Sequence, residues 1–155
     1  MVDQIYSATV STPIGPLCVM SNGEAIVKLS WQSGGDADGR PELDEAVAQL
    51  EAYFEGRLQN FDLPLLVNGS DFQRQVCDAM SAIPFGETLT YGDIAKQTAS
   101  PAQAVGTACG ANPIPVIIPC HRVLAANGLG GYSGSGGIET KVWLLRHEGA
   151  AGLLI

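Results

Sequence analysis

Prolines and glycines divide this chain into short apolar segments, and this division constrains the fold more than any other feature of the sequence. The 155 residues include 19 glycines and nine prolines. In the first third, the segments 5–10, 17–20 and 25–31 have strand length and are separated by turn-forming residues. The second turn contains Asn22-Gly23, a dipeptide typical of tight hairpins. We therefore predict a three-stranded antiparallel meander.

A helical pattern follows the meander. Apolar residues recur at three- and four-residue spacing over 41–55, between Pro41 and Gly56, which predicts an amphipathic helix. The segment 60–69 has the composition of a linker. We therefore expect one domain over residues 1–69, built from a small sheet and a helix.

The second half of the chain, residues 70–155, is predicted to be a mostly helical domain, so the fold class is α/β of the α+β type. Thr90 and Asp93 have the spacing of a capping box, and Ser100 is expected to cap the helix after it. The helices expected at 91–98 and from Pro101 to about Cys109 have the spacing of a helix-turn-helix. Helices are expected at 71–82, at 91–98, from Pro101 to about Cys109, and from Ile138 to a stop at Gly149.

Charge alone argues against a nucleic-acid partner, because the formal net charge is −8 and the isoelectric point is near 4.5. The acidity is uneven, however. Residues 1–70 carry a net charge of −7 and residues 71–155 carry −1. The composition therefore excludes a nucleic-acid-binding face only in the first half.

Several classes of protein and site are not expected. The sequence has no apolar run of the roughly 18 residues that span a bilayer and no secretory leader, so we expect a cytoplasmic protein without a membrane partner. The four cysteines form no C-x-x-C pair, and the two histidines lack zinc-finger spacing. We therefore expect no metal, no cofactor and no disulfide framework.

A proline-flanked apolar segment, 114–119, leads directly into Cys120-His121. A cysteine becomes a nucleophile as its thiolate, and a nearby imidazole is a common means of forming it. In an extended segment neighbouring side chains point to opposite faces, so contact between the two would require a turn or a bridging water. Glu148 is the candidate for orienting the imidazole. The alternative is a buried, inert cysteine, a hydrogen-bonded structural histidine and a surface glutamate.

Longer motifs around these residues resemble the O6-alkylguanine-DNA alkyltransferases, a family of single-turnover DNA-repair proteins. Residues 118–123, Ile-Pro-Cys-His-Arg-Val, resemble the active-site signature of that family. The resemblance is strong over 70–150, whereas 1–69 resembles only the general plan of the family's ribonuclease-H-like N-terminal domain. Further matching motifs are Phe72–Val76, Ile83–Thr88, Thr90–Ala95, Ala104–Gly106, Asn112-Pro113, Gly131–Gly134, Trp143–Leu145 and His147–Gly149.

The resemblance implies a winged helix-turn-helix-like DNA-binding domain that flips an alkylated base out of double-stranded DNA. Cys120 would irreversibly accept a methyl or other alkyl group from O6-alkylguanine, and O4-alkylthymine is a further possible substrate. Glu148, His121 and a bridging water would form the relay that generates the thiolate. No cofactor is implied, and we expect a monomer.

Further roles follow from the same resemblance. Tyr91 would lie at the flipped nucleotide and Asn112 would act as the hinge before the active-site segment. Tyr132 and Ser133 would line the guanine pocket and donate hydrogen bonds toward O6. The backbone carbonyls of Cys120 and Val123 would accept the exocyclic amine.

The helix after Pro101 has small side chains and no base, so it is either buried or able to approach another surface closely. In the family this helix enters the minor groove. Ala102, Gln103, Ala104 and Arg122 are the expected DNA contacts. Gln103 stands where the family typically has an arginine, so we expect weak, salt-sensitive DNA binding.

Two other functions compete with alkyl transfer. A protein of the same fold could bind lesions or serve regulation with weak transfer activity, although such relatives typically lack the cysteine that Cys120 supplies. A cysteine hydrolase would need an oxyanion hole and an acyl pocket, which no motif of this sequence specifies.

Overall fold

The computed structural model of the chain describes residues 4–35, 39–132 and 136–150. The chain divides into two compact units, Met1–Asn68 and Gly69–Ile155. Within the described ranges, no helix is long and apolar enough to cross a membrane.

The first unit contains the predicted meander and helix. Strands β1 (Tyr6–Thr12), β2 (Gly15–Ser21) and β3 (Ile26–Ser30) form an antiparallel sheet in that order, and α1 spans Pro41–Phe54. The α1 helix ends before Gly56, whose φ of 80° lies in the left-handed region that favours glycine. The apolar faces of the sheet and helix form a core in which the most deeply buried side chains are Leu17, Val19, Ile26, Leu43, Ala46, Leu50 and Tyr53.

The loop between β2 and β3 differs from the tight hairpin turn that Asn22-Gly23 predicts. It has four residues, and of the pair only Gly23 has a positive φ, 100°. The Asn22 side chain instead caps the loop, since its Oδ1 accepts from the backbone N–H groups of Glu24 and Ala25 at 2.9 and 2.8 Å. Asparagine thus acts here through its side-chain acceptor rather than through its tolerance of a left-handed backbone.

The predicted linker is in part a structured segment of the first unit. The backbone N–H of Ile26 donates to Pro64 at 2.7 Å, and Leu66 donates back to Ile26 at 2.9 Å. Residues 64–66 therefore lie along the open edge of β3. Proline is accommodated there because only its carbonyl is used.

Of the five helices in the described residues, the second unit contains four, together with a two-stranded parallel sheet of β4 with β5. The elements are α2 (Asp71–Ser81), β4 (Leu89–Thr90), α3 (Tyr91–Thr98), α4 (Ala102–Gly110), a 3₁₀ turn (Cys120–Arg122), β5 (Val123–Leu124) and α5 (Ile138–Glu148). The helix predicted at 91–98 is confirmed together with its capping box. Thr90 Oγ1 accepts from the Asp93 N–H at 3.1 Å, and Asp93 Oδ2 accepts from the Thr90 N–H at 2.9 Å.

The expected cap on α4 is wrong. Ser100 does not cap that helix, because its Oγ donates to the Thr98 carbonyl at 3.0 Å and its N–H donates to Ala95. Ala99, with φ 52°, ends α3 in the left-handed conformation and turns Ser100 back over that helix. Pro101 precedes α4 as its N-cap, without a side-chain hydrogen bond.

The parallel pair β4–β5 determines where the functional segments lie. Leu89 pairs with Val123 and Thr90 with Leu124. The start of α3, at Tyr91, is thereby held beside the turn that begins at Cys120. Two-residue strands give no periodic signal, so the sequence did not predict this pairing. The surrounding core is built from fully buried apolar residues of α2–α5 and the 114–118 segment, namely Val76, Met80, Ile94, Val105, Ile114, Ile118, Leu144 and Leu145.

Candidate active site

The segment before Cys120 forms a compact turn and is not extended. Ile118 donates its N–H to the Ile114 carbonyl at 2.9 Å, and Val116 has a φ of 70°. The Asn112 side chain holds the turn at both ends. Its Nδ2 donates to the Ile118 carbonyl at 2.8 Å, and its Oδ1 accepts from the Ile114 N–H at 3.0 Å.

Cys120 and His121 lie in a 3₁₀ turn that ends at Arg122, and all three side chains are buried. His121 is fully buried, and its Nε2 lies 2.8 Å from Oε2 of Glu148. Since a carboxylate only accepts, the neutral imidazole carries its proton on Nε2, and Nδ1 is the unprotonated nitrogen. Nδ1 has no hydrogen-bond partner among the described residues. It is therefore available as a base.

Glu148 is fully buried at the end of α5 and does not lie on the surface. Arg122 donates from Nε to Oε1 at 2.8 Å and from Nη2 to Oε2 at 3.0 Å, so that the guanidinium binds the carboxylate through two nitrogens. With the imidazole, three side-chain N–H donors converge on two oxygens. This arrangement stabilises the ionised carboxylate next to His121.

The structure corrects the expectation that Arg122 contacts DNA. Its side chain is 7% exposed, and its third nitrogen, Nη1, donates to the Ile83 carbonyl at 2.6 Å. Every guanidinium nitrogen is thus engaged inside the protein. Arg122 positions Glu148 and is not available to a phosphate.

The pKa of His121 is lowered from its ordinary value, chiefly because burial disfavours the charged ring, while Glu148 opposes this effect. Burial also raises the pKa of the Cys120 thiol, whereas a hydrogen bond from Asn112 and the positive charge of Lys141 oppose that rise. The site therefore starts from a neutral thiol and a neutral imidazole. The two groups that oppose the rise favour the thiolate once the proton is removed.

Lys141 is a site residue that the sequence reasoning missed. Its side chain is fully buried, and its Nζ donates to the Val123 carbonyl at 2.6 Å and to the Gly131 carbonyl at 3.1 Å. Within the described part of the chain no carboxylate lies within ion-pair distance of it. Burial lowers its pKa to about 8, and Cys120 and Cys109 oppose that shift. A signal was available in the sequence, since Lys141 precedes Leu144 and Leu145 at the helical spacings of three and four residues, and both leucines are buried.

A cavity of about 480 Å³ opens onto Cys120. It brings together three of the predicted site residues, Cys120, Tyr91 and Tyr132. Burial raises the pKa of Tyr132, and the neighbouring Cys120 adds to that rise. The other described residues that line the cavity are Gly106, Cys109, Gly110 and Gly131. Ser133 lies outside the described residues.

The α4 helix has one buried face and one exposed face. Val105, Ala108 and Cys109 are buried, while Ala102 and Gln103 are exposed and Ala104 is half-buried. The exposed face presents no long cationic side chain.

Comparison with known protein families finds a match for each half of the chain. A family model described as the DNA-binding domain of 6-O-methylguanine DNA methyltransferase matches residues 71–150, and one described as its ribonuclease-like domain matches residues 5–67. The methylated-DNA–protein-cysteine methyltransferase of Methanosarcina acetivorans is 41% identical over 157 aligned positions, covering 94% of this chain and 99% of that protein.

Two solved structures are similar over the same extent. The crystal structure of the Mycobacterium tuberculosis O6-methylguanine methyltransferase superposes with a TM-score of 0.82 at 42% identity, covering 94% of this chain and 93% of that one. The crystal structure of Mycobacterium tuberculosis OGT in complex with DNA gives a TM-score of 0.80 at 44% identity, with 91% of both chains covered.

Proposed function

The chain belongs to the 6-O-methylguanine DNA methyltransferase family, and from this premise we propose that it repairs DNA by moving an alkyl group from O6 of guanine irreversibly onto Cys120. One observation carries the proposal. The buried array Arg122–Glu148–His121 leaves an unprotonated imidazole nitrogen in the residue next to a thiol that opens into a cavity.

The relay we propose begins at Nδ1 of His121. A water bridging this nitrogen and the Cys120 sulfur transfers the thiol proton to the imidazole. The two side chains therefore need no direct contact. The Glu148 carboxylate then stabilises the imidazolium. Arg122 keeps that carboxylate ionised and oriented, and Asn112 and Lys141 stabilise the thiolate.

In the transfer step the Cys120 sulfur attacks the alkyl carbon. The sulfur–carbon bond forms, the carbon–O6 bond breaks, and the electron pair moves to the guanine oxygen. Tyr132, whose raised pKa keeps the hydroxyl protonated, donates a hydrogen bond to the oxygen on which charge develops. The thioether product is stable, so each molecule reacts once.

DNA binding in this proposal relies on shape. An alkyl group on O6 lies inside the base stack, so the nucleotide must be flipped into the cavity before transfer. The exposed, small-residue face of α4, which includes Ala102, Gln103 and Ala104, fits the minor groove, and Tyr91 lies where the flipped nucleotide enters. The Val123 carbonyl keeps one lone pair for the exocyclic amine beside its bond to Lys141.

We further propose that the chain acts as a monomer, with residues 70–155 as its alkyltransferase domain.

Incubation with O6-benzylguanine followed by intact-mass analysis tests the function. We expect one benzyl group per molecule, located on Cys120 by peptide mapping, and none on the Cys120→Ser variant. A Cys77→Ser variant, which changes a buried thiol outside the cavity, should react like the parent.

Two outcomes would contradict the proposal. A protein left unmodified by prolonged excess of substrate would indicate a lesion-binding protein without transfer. Release of more than one guanine per protein molecule would indicate a hydrolase.

A further inference from the structure

Two cysteine side chains line the same cavity. Cys109, on α4, is 5% exposed, and Cys120 is 6% exposed. Both are free thiols and both border the 480 Å³ space. Cys77 is also buried, but it is not among the described residues that line the cavity.

The other described lining residues are poor competitors as nucleophiles. Burial raises the pKa of both Tyr91 and Tyr132, so their hydroxyls stay protonated at neutral pH. The remaining ones are glycines. Lys141 is not among the described lining residues, and its Nζ donates to two backbone carbonyls. A thiol is intrinsically a much stronger nucleophile than a phenol, so among the described lining residues Cys109 is the second group able to attack a carbon held in this space.

The two thiols are coupled electrostatically. Burial raises the pKa of Cys109 to about 12, the charge on Cys120 is the next largest contribution, and Lys141 opposes both. Alkylation converts Cys120 into a neutral thioether. A neutral thioether cannot oppose the ionisation of Cys109 as a Cys120 thiolate would, and the Lys141 cation favours that ionisation.

We propose that Cys109 is a second acceptor thiol, which captures an alkyl group on Cys120 when that group carries a leaving group of its own. The inference rests on the proposed function, because the first step is transfer to Cys120. A 2-haloethyl group illustrates the chemistry. Transfer gives a Cys120 2-haloethyl thioether, and the Cys109 sulfur then attacks the halogen-bearing carbon.

In this second step a sulfur–carbon bond forms, the carbon–halogen bond breaks with its electron pair leaving as halide, and the thiol proton passes to solvent. The product is one ethylene bridge between the two sulfurs. Confinement in one cavity gives the thiol a high effective concentration, which offsets its low ionised fraction. Formation of the bridge also consumes the haloethyl group, an electrophile that could otherwise alkylate the DNA from which it came.

The test uses a short duplex that contains O6-(2-chloroethyl)guanine, prepared fresh, and intact-mass analysis with peptide mapping. The parent protein should gain one halogen-free ethylene bridge joining the Cys109 and Cys120 peptides, with two of its four thiols consumed. The Cys109→Ser variant should carry a chloroethyl or hydroxyethyl group on Cys120 and no bridge. Cys77→Ser is the matched control, and its bridge should form as in the parent.

Benzyl transfer from O6-benzylguanine, run to completion, shows that each variant is folded and that its Cys120 is competent. If Cys120 accepts neither group, the proposed function is wrong. If Cys120 is alkylated in the parent but no bridge forms, or if the bridge persists in Cys109→Ser or disappears in Cys77→Ser, the second-acceptor role alone is wrong.

Discussion

Replacing Lys141 with methionine separates the electrostatic role of this residue from its packing. Methionine keeps an unbranched apolar chain of similar length and removes the charge and the donors. Folding shifts the pKa of Lys141 from 10.5 to about 8, and a shift of this size corresponds to about 3 kcal/mol of unfavourable free energy for the buried cation at neutral pH. The substitution removes that penalty. It also leaves the Val123 and Gly131 carbonyls without this donor, at a cost of about 1–3 kcal/mol each.

These terms nearly cancel at pH 7, so the free energy of unfolding should change little there. The difference appears with pH. Below pH 8 Lys141 is charged in both the folded and the unfolded state, and its burial penalty is fully present. Between pH 8 and 10.5 the folded state loses the proton before the unfolded state does, so the unfolding free energy of the parent rises by up to about 3 kcal/mol relative to the variant.

Urea denaturation of both proteins from pH 7 to 10.5 measures this difference. Lys96→Met, at an exposed position of α3, is the control and should show no such rise. The benzyl-transfer rate of Lys141→Met at pH 7 should fall about tenfold for each unit by which the Cys120 pKa rises. A parent-minus-variant stability difference that stays constant with pH would refute the buried-cation argument. An unchanged transfer rate would refute the role of Lys141 at the thiolate.

Three other perturbations test the remaining parts of the site. Glu148→Gln leaves the buried Arg122 without its counter-charge and should cost about 3–5 kcal/mol in urea denaturation, whereas Glu139→Gln, exposed on the same helix, should cost almost nothing. The pKa of His121 lies below 6.5 in the folded protein, so benzyl transfer should hold its rate as pH falls to 6.5 and lose it only below that point; a decline centred above 6.5 would contradict the assignment. In anisotropy titrations, Gln103→Arg should tighten binding to a duplex and steepen the slope of log binding constant against log salt concentration by about 0.9. Gln59→Arg, at an exposed position of the N-terminal unit, should change neither the affinity nor this slope.

Local features of this chain could be predicted from its sequence because their causes are local. The capping box at Thr90 and Asp93 and the helix stop at Gly149 each depend on side chains within one turn of the backbone. The Ser100 prediction failed because two local patterns competed for one residue, and the end of α3 prevailed over the start of α4.

Site residues could be predicted where their chemical type is distinctive, and could not be predicted where long-range packing brings them to their partners. A cysteine beside a histidine is unusual enough to be noticed, and Glu148 followed from the need to orient an imidazole. The partners of Arg122 and Lys141 are not visible in the sequence. Nothing local shows that α5 brings a carboxylate to Arg122, or that Lys141 on α5 reaches two backbone carbonyls of other segments. The β4–β5 pair that aligns Tyr91 with Cys120 is equally non-local.

The burial of these two cations changes what the charge of the C-terminal half means. Its sequence has a net charge of only −1, which by itself is compatible with DNA binding. With Arg122 paired to Glu148 and Lys141 enclosed, however, the bases left at the surface are Arg74, Lys96 and Arg146, and Arg74 already pairs with Asp71. Few contacts remain that could release counterions, so electrostatics supplies little of the affinity. In the proposed mode of binding, affinity then comes from the fit of α4 in the minor groove and of the flipped base in the cavity. Of these two contacts, only that of the flipped base depends on the lesion. We therefore expect the preference for alkylated over intact DNA to be large and total affinity to be low, and a protein that bound intact DNA tightly at physiological salt would contradict this argument.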